Sequence, residues 1–219
     1  MAAYSLEDWE DQIRPWVRKA PHEVIQQVLR NVLRDFCQFT RCWQYVPAVQ
    51  TISISTPTYV LLLEAAYAEP VAVEWMSVDG GKSYMKPVEW LDSAIPTWRT
   101  RVTNDFSYYT QLDPLTVTFG AIPQIAGTTD GWSYRISQKP TMVAPQTESR
   151  LFENWADEIA DGVKGKLMMM PGEDWSNAVT GSYHEKLYQS KRAKARIRVQ
   201  KSYGNSDQNW LPAYRFGGR

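Results

Sequence analysis

Residues 148–172, ESRLFENWADEIADGVKGKLMMMPG, form the stretch that decides how this chain folds. Apolar side chains recur in it at steps of three and four residues, which predicts a helix with one buried face: Leu151, Phe152, Trp155, Ile159, Val163, Leu167 and Met170. Thr147 is expected to cap the start of this helix. Pro171 and Gly172 should end it, because proline cannot continue the helical hydrogen-bond ladder.

Two glycines lie inside this predicted helix, in the segment DGVKGK at 161–166. The segment superficially resembles a phosphate-binding loop, but it lacks the second half of that pattern. Glycine without a Cβ lets another backbone approach closely. We therefore expect Gly162 and Gly165 to mark a close helix–helix contact.

A second helix is predicted to start near Trp175 or Ser176 and to become strongly basic after Gln189. It carries Val179, Tyr183 and Leu187 on one side. The chain then ends in a tail at 204–219, GNSDQNWLPAYRFGGR, which is polar at first and then aromatic and basic. Large apolar side chains are costly to leave in water, so this tail indicates a segment that docks on a partner.

The chain begins with two further helical patterns and then changes period. Ser5 and Asp8 form a capping-box pattern ahead of a short helix that Pro15 should end, and residues 21–43 repeat apolar pairs at helical spacing. Beyond residue 48, short strands are predicted at 49–55, 58–63, 71–78, 115–119 and 131–137. Residues 79–81, Asp-Gly-Gly, are typical of a hairpin turn.

These patterns predict an α+β fold in which N- and C-terminal helices form one bundle. Consecutive strands without long helices between them favour an inserted antiparallel β-sheet or small β-sandwich domain. The predicted units are residues 1–46 for the N-terminal helices, 47–144 for the inserted β-rich domain, 145–203 for the C-terminal helices and 204–219 for the extended C-terminal tail.

Charge is balanced overall but unevenly placed. The 219 residues contain 24 Lys and Arg and 24 Asp and Glu, so the chain as a whole is not a generic nucleic-acid binder. An acidic start and a basic end favour self-association or an oriented place in an assembly. The basic run at 191–198, KRAKARIR, leaves three interpretations open: a solvated helix face, contact with an acidic protein surface, or contact with a nucleic-acid backbone.

No pattern of residues predicts an active site. Walker A, GxGxxG, GxSxG and HExxH motifs are absent from the sequence, and the two histidines, His22 and His184, have no spaced second ligand pair. Cys37 and Cys42 fall in a predicted helix and should point to different sides, so no disulfide is expected. We expect no catalytic residue, no cofactor, no metal and no membrane partner; the first twenty residues do not look like a signal peptide.

The arrangement resembles the head-to-tail adaptor proteins of short-tailed bacteriophages, also called connector, head-completion or tail tubular proteins. The residues that carry the resemblance are Pro21-His22-Glu23, VLRDFC at 32–37, TRCW at 40–43, YVLL at 59–62, Asp79-Gly80, WADEIADGV at 155–163, LMMMP at 167–171, Asp174-Trp175, Ala178 and Tyr183. They span most of the chain and are packing patterns rather than a catalytic signature.

The resemblance implies a structural virion protein. Such adaptors form rings, typically of twelve subunits, which join the portal protein to the tail while packaged DNA passes along the axis without sequence-specific contact. The implied location is the neck of the virion, after assembly in the host cytoplasm. The next tail component, a nozzle or tail tube, would be the second partner.

The resemblance also implies two sets of contact residues. A C-terminal segment docks on the portal in such adaptors, and the matching residues here are Arg196, Ile197, Arg198, Tyr203, Trp210, Leu211, Tyr214, Arg215, Phe216 and Arg219. The β-rich part should then face the tail, with contacts from the predicted turn at Asp79, Gly80, Gly81, Lys82 and Tyr84.

Two alternatives remain open from the sequence. One is another neck or tail-completion ring protein with a different partner. The other belongs to a different class: a monomeric carbohydrate-binding or enzymatic β domain, whose sugar cleft would use the aromatic residues Trp98, Tyr108, Tyr109, Trp132 and Tyr134.

Overall fold

The structure is a computed structural model that describes residues 3–124 and 131–201 of the chain. Within these ranges the chain forms five helices: α1 (Leu6–Ile13), α2 (His22–Thr40), α3 (Val88–Ala94), α4 (Ser149–Met168) and α5 (Ala178–Gln200). It also forms nine strands: β1 (Ala3–Ser5), β2 (Trp43–Tyr45), β3 (Thr58–Val60), β4 (Ala68–Val78), β5 (Gly81–Met85), β6 (Tyr108–Asp113), β7 (Thr116–Phe119), β8 (Trp132–Pro140) and β9 (Gln146–Glu148).

Seven strands form one curled, mixed sheet in the order β2-β8-β4-β5-β6-β7-β3. The long β4 pairs with β8 along its whole length, and two register shifts interrupt that ladder. One shift follows Pro70, which has no N–H to give to a neighbouring strand. Bulges of this kind bend a strand and increase its twist, which accounts for the curl.

The predicted fold class is wrong in its architecture, although the α+β class itself is correct. The strands form a seven-stranded mixed sheet rather than a small antiparallel insert or sandwich in a helical bundle. Strands β5 and β6 are parallel, with Tyr84 opposite Tyr108. A parallel pair needs a long crossover, and α3 with the segment after it supplies one. The strand patterns alone did not reveal this crossover.

Two hydrophobic cores organise the structure. The helix core is built mainly from α1, α2, α4 and α5, and it also takes Trp43 and Ala68 from the sheet. The sheet core lies inside the curl and contains Ile52, Leu61, Met76, Val78, Phe106, Tyr109, Val117, Phe119, Trp132, Tyr134 and Ile136. Helix α2 is tied to the sheet by Arg34, whose Nη1 donates to the Pro140 carbonyl oxygen at 2.7 Å.

The helix boundaries follow the sequence patterns, with shifts at three ends. Ser5 and Asp8 form the predicted capping box of α1. Glu148 caps α4 instead of Thr147, because Thr147 pairs with Tyr4 in a separate two-stranded sheet of β1 and β9. Helix α2 ends at Thr40, and α5 starts at Ala178 with Asn177 as its cap.

The predicted strand at 49–55 does not form. Gln50 makes a single bridge to Trp132, and the segment then follows an irregular path. Ile52 is buried in the sheet core, whereas Ile54 is half exposed, so the two do not share the buried face that their alternation predicted.

The prediction that Cys37 and Cys42 point to different sides is also wrong. Arg41 adopts a left-handed backbone with φ 57°, and its N–H donates to the Cys37 carbonyl oxygen. This ending returns the chain over the last helical turn, where contact between such positions is common. The neighbouring Cys42 thiol, together with burial, raises the pKa of the Cys37 thiol.

Candidate interaction surfaces

The predicted tail-side residues lie together at the tip of the β4–β5 hairpin. Asp79 and Gly80 form the turn with φ values of 49° and 76°, and Val78 pairs with Gly81. Positive φ at both central residues is what a two-residue hairpin turn requires. No carboxylate pairs with Lys82 within the described part of the chain, and the tip is exposed. It can therefore contact another protein without rearrangement of the sheet.

Cations and aromatic rings alternate along the strand that leaves this tip. The Lys82 Nζ atom lies 5.1 Å from the centre of the Tyr84 ring, which is half exposed. Lys86 lies 4.7 Å above the Trp90 ring and 5.9 Å above the Tyr108 ring. Exposed aromatic and cationic side chains of this kind are frequent in protein interfaces.

The predicted portal-docking residues fall into two groups. Arg196, Ile197 and Arg198 lie on the last turns of α5, and all three are exposed. The remaining residues of that set lie outside the described part of the chain: Tyr203, Trp210, Leu211, Tyr214, Arg215, Phe216 and Arg219. The structure therefore gives only the base from which the tail departs.

Both arginines at this base lie against aromatic rings, one on α2 and one on α4. The Arg196 guanidinium is 5.0 Å from the centre of the Phe39 ring. The Arg198 guanidinium is 5.2 Å from the Trp155 ring. Stacking of this kind orients the guanidinium groups and leaves Ile197 facing outward between them.

A buried polar network holds α5 against α4. Asp161 accepts a hydrogen bond from Lys191 at 2.6 Å and lies 3.0 Å from the Nδ1 atom of His184. Burial lowers the pKa of Lys191, but the hydrogen bond and charge of Asp161 outweigh burial, so the net pKa is raised. The Trp16 and His184 rings meet edge to face, with their centres 5.3 Å apart. His184 is thus a structural residue of the helix core.

A second network holds α5 against α2. The Tyr188 hydroxyl donates to Asp35 at 2.7 Å, and Arg192 donates to the same carboxylate. Burial and the neighbouring Asp35 carboxylate raise the pKa of Tyr188. Two members of the basic run, Lys191 and Arg192, are therefore neutralised by acids of the same chain.

Helices α4 and α5 cross at very short distance through their glycines, as the sequence predicted. A Cβ atom added at Gly165 would lie 2.9 Å from the backbone nitrogen of Glu185, and one at Gly162 would lie 2.8 Å from both Tyr188 and Val32. Gly181 completes the contact from the α5 side. At Gly165 the obstructing atoms are backbone, so no other residue fits there without displacing one helix.

Two neighbouring cavities form one groove beside the end of α5. Their volumes are about 510 and 330 Å³, and both are lined by Gln44, Arg135 and Val199. Strand β2 borders the groove and is one of the two edge strands of the sheet. An edge strand offers unpaired backbone groups to an extended peptide.

The aromatic residues of the sugar-cleft alternative do not form a surface. Tyr109, Trp132 and Tyr134 are buried in the sheet core, and Trp98 is almost fully buried as well. The Tyr134 hydroxyl is occupied by the backbone of Leu62, whose N–H donates to it at 2.5 Å. Only Tyr108 is partly exposed.

Other kinds of site find no support within the described ranges. Within residues 3–124 and 131–201, no group of three or more His, Cys, Asp and Glu side chains is arranged to hold a metal ion. None of the helices described there has the length and apolar character that a membrane span requires. Comparison with protein-family models and with curated proteins returns no match for this chain.

Sequence reasoning missed the two buried networks and the outward side of α5. The helix buries Gly181, His184, Tyr188, Ala195 and Val199, whereas Val179 and Tyr183 are exposed. The helical spacing of Gly181, His184 and Tyr188 could have revealed the buried side of α5, because these residues face α4.

Proposed function

We propose that this protein is a head-to-tail adaptor of a short-tailed bacteriophage, a structural virion protein that joins the portal to the tail. Copies of the chain form a ring, and packaged DNA passes along its axis. The observation that best supports the proposal is that the two contact features belong to different cores. The hairpin extends from the sheet core, whereas the base of the tail belongs to the helix core.

This separation suits a protein that holds two partners at once. A partner can engage the helix-core end without disturbing the hairpin, because each feature is anchored in its own packed interior. Helix α5 is a firm base for docking: Asp35 and Asp161 fix it on two neighbouring helices, and the glycine crossing holds it at short distance.

The portal side of the proposal is tested by removing the tail. A chain truncated after Tyr203 keeps the described helices and loses the aromatic and basic residues that follow. We expect it to lose binding to the purified portal of the same phage, measured by co-sedimentation. Undiminished affinity of the truncated chain for the portal would contradict the assignment of the tail.

The matched control alters the other contact feature. Replacing residues 79–82 by Gly-Ser-Gly-Ser changes the hairpin tip and leaves α5 and the tail intact. We expect this variant to bind the portal like the native chain. Heads that contain the portal and this variant should not acquire tails, which electron microscopy would show. Loss of portal binding by the hairpin variant would refute the division of roles.

A further inference from the structure

The outward side of α5 is an exposed helix surface with large apolar residues. Its exposed residues recur at steps of three and four positions and define the α5 outer face: Val179, Tyr183, Lys186, Ser190, Lys194, Ile197 and Lys201. Val179, Tyr183 and Ile197 expose 84%, 63% and 53% of their surface. Apolar residues thus lie at both ends of the face, with lysines between them.

No carboxylate among the described residues pairs with Lys186 or Lys194. This distinguishes them from Lys191 and Arg192, which are bonded to Asp161 and Asp35. The lysines of the outer face therefore keep their charge available for a partner.

A second surface of the helix core is acidic. Helix α1 packs against α4 through Trp9 and Phe152, whose rings meet edge to face at 5.0 Å. The exposed residues of these two helices include four acids, which define the α1–α4 acidic face: Glu7, Asp8, Asp11 and Glu153. The charges of the chain are balanced in number but separated in space.

Symmetry decides how two such surfaces can meet between copies. A two-fold contact through α5 would place the lysines of one copy against those of the other, and like charges repel. A contact between the α5 outer face of one copy and the α1–α4 acidic face of the next copy avoids this repulsion. Such a head-to-tail contact repeats around an axis and can close a ring.

We propose that the α5 outer face of one copy docks on the α1–α4 acidic face of the next copy. This inference rests on the proposed adaptor ring and names the surfaces that form it. Val179, Tyr183 and Ile197 are covered by the neighbour, and Lys186 and Lys194 pair with its carboxylates.

The size of the face predicts a weak contact. Residues 179–197 span about 27 Å of helix, and a strip about 10 Å wide along them covers about 300 Å². A stable interface buries about 800 Å² on each partner. The face alone therefore holds copies together only at high concentration, and a portal that gathers the copies would complete the ring.

The test reverses the charges and follows assembly without any portal. The basic-face variant is Lys186→Glu with Lys194→Glu, and the acidic-face variant is Asp11→Lys with Glu153→Lys. Sedimentation equilibrium at high protein concentration and low salt should show self-association of the native chain beyond a dimer. Each variant alone should associate at least about tenfold more weakly, because the facing surfaces now carry like charge.

Two combinations provide the control. An equal mixture of the two variants, and a single chain carrying all four changes, both restore opposite charges across every contact. We expect both to associate like the native chain; the fourfold variant also has the native net charge. A native chain that stays monomeric, or a folded fourfold variant that does not recover, would overturn the inference. Because no portal is present, either result leaves the adaptor function to the truncation experiment.

Discussion

The crossing of α4 and α5 gives the sharpest stability prediction. We consider Gly165→Ala, which adds one methyl group where the two helices touch. The new Cβ atom would lie 2.9 Å from the backbone nitrogen of Glu185 and 3.3 Å from the carbonyl oxygen of Gly181. Carbon atoms normally pack at about 3.5–4.0 Å, so α5 must move outward by roughly half an ångström.

Two opposing effects set the magnitude. Alanine is favoured over glycine inside a helix by about 1 kcal/mol. Overpacking typically costs about 1–3 kcal/mol, and the upper part of that range applies because the obstructing atoms are backbone. Helix α5 also cannot move freely, since Asp161 and Asp35 hold it by hydrogen bonds. The expected net loss is about 2 kcal/mol in the free energy of unfolding.

Gly181→Ala is the matched control at the same crossing. Its new methyl group would meet the Cγ atom of Met169 at 2.8 Å, but Met169 is half exposed and can move aside. Its new Cβ atom would also lie 3.2 Å from the carbonyl oxygen of Gly165, a milder approach than the 2.9 Å to the Glu185 nitrogen in Gly165→Ala. The two variants gain the same helix propensity, so their difference measures the extra cost of the tighter backbone clash. Urea unfolding followed by circular dichroism should show a lower midpoint for Gly165→Ala and a smaller change for Gly181→Ala. Equal midpoints for Gly165→Ala and the native chain would refute the close crossing.

Two further predictions concern the cores. Tyr188→Phe removes the hydrogen bond to Asp35 and should lower the free energy of unfolding by about 1 kcal/mol. The folded state raises the pKa of Tyr188 above its ordinary value of 10.0, so the contribution of this residue to stability is fully present below pH 10 and is lost as the pH rises further. Thermal melts from pH 8 to 11 should therefore show a shallower fall in stability for the variant than for the native chain. Trp132→Ala should lower the free energy of unfolding in urea by about 3–5 kcal/mol, because Trp132 is fully buried. Trp16→Ala removes a half-exposed ring and should lower it far less. Equal losses of stability in the two variants would contradict the sheet core.

Much of the helical structure could be predicted from local sequence. The capping box at Ser5, the break at Pro171 and Gly172, and the contact through Gly162 and Gly165 were all predicted correctly. Each depends on interactions within a few residues or on the absence of a side chain. Such features are encoded where they occur, so periodicity and residue type suffice to find them.

The candidate surfaces were predicted unevenly. The hairpin at Asp79 and Gly80 follows from the turn chemistry of two residues. The outer face of α5 was harder, because hydropathy marks Val179 and Tyr183 as the apolar side of that helix. The structure buries the opposite side, where Gly181 admits α4 and His184 meets Asp161. Which side of α5 is buried depends on a partner helix that pattern reasoning did not consider.

The sequence by itself determined which segments form the long helices, where the hairpin turns, and that charge is acidic at the start and basic at the end. The tertiary structure decided the mixed seven-stranded sheet, because the order of strands depends on pairings between distant segments. It also decided which cations of α5 are neutralised within the chain and which remain on the surface. The physical reason is the same in both cases. Local propensity acts over a few residues. The order of the strands and the ion pairs of α5 depend instead on contacts between groups more than twenty residues apart, such as Asp161 and His184.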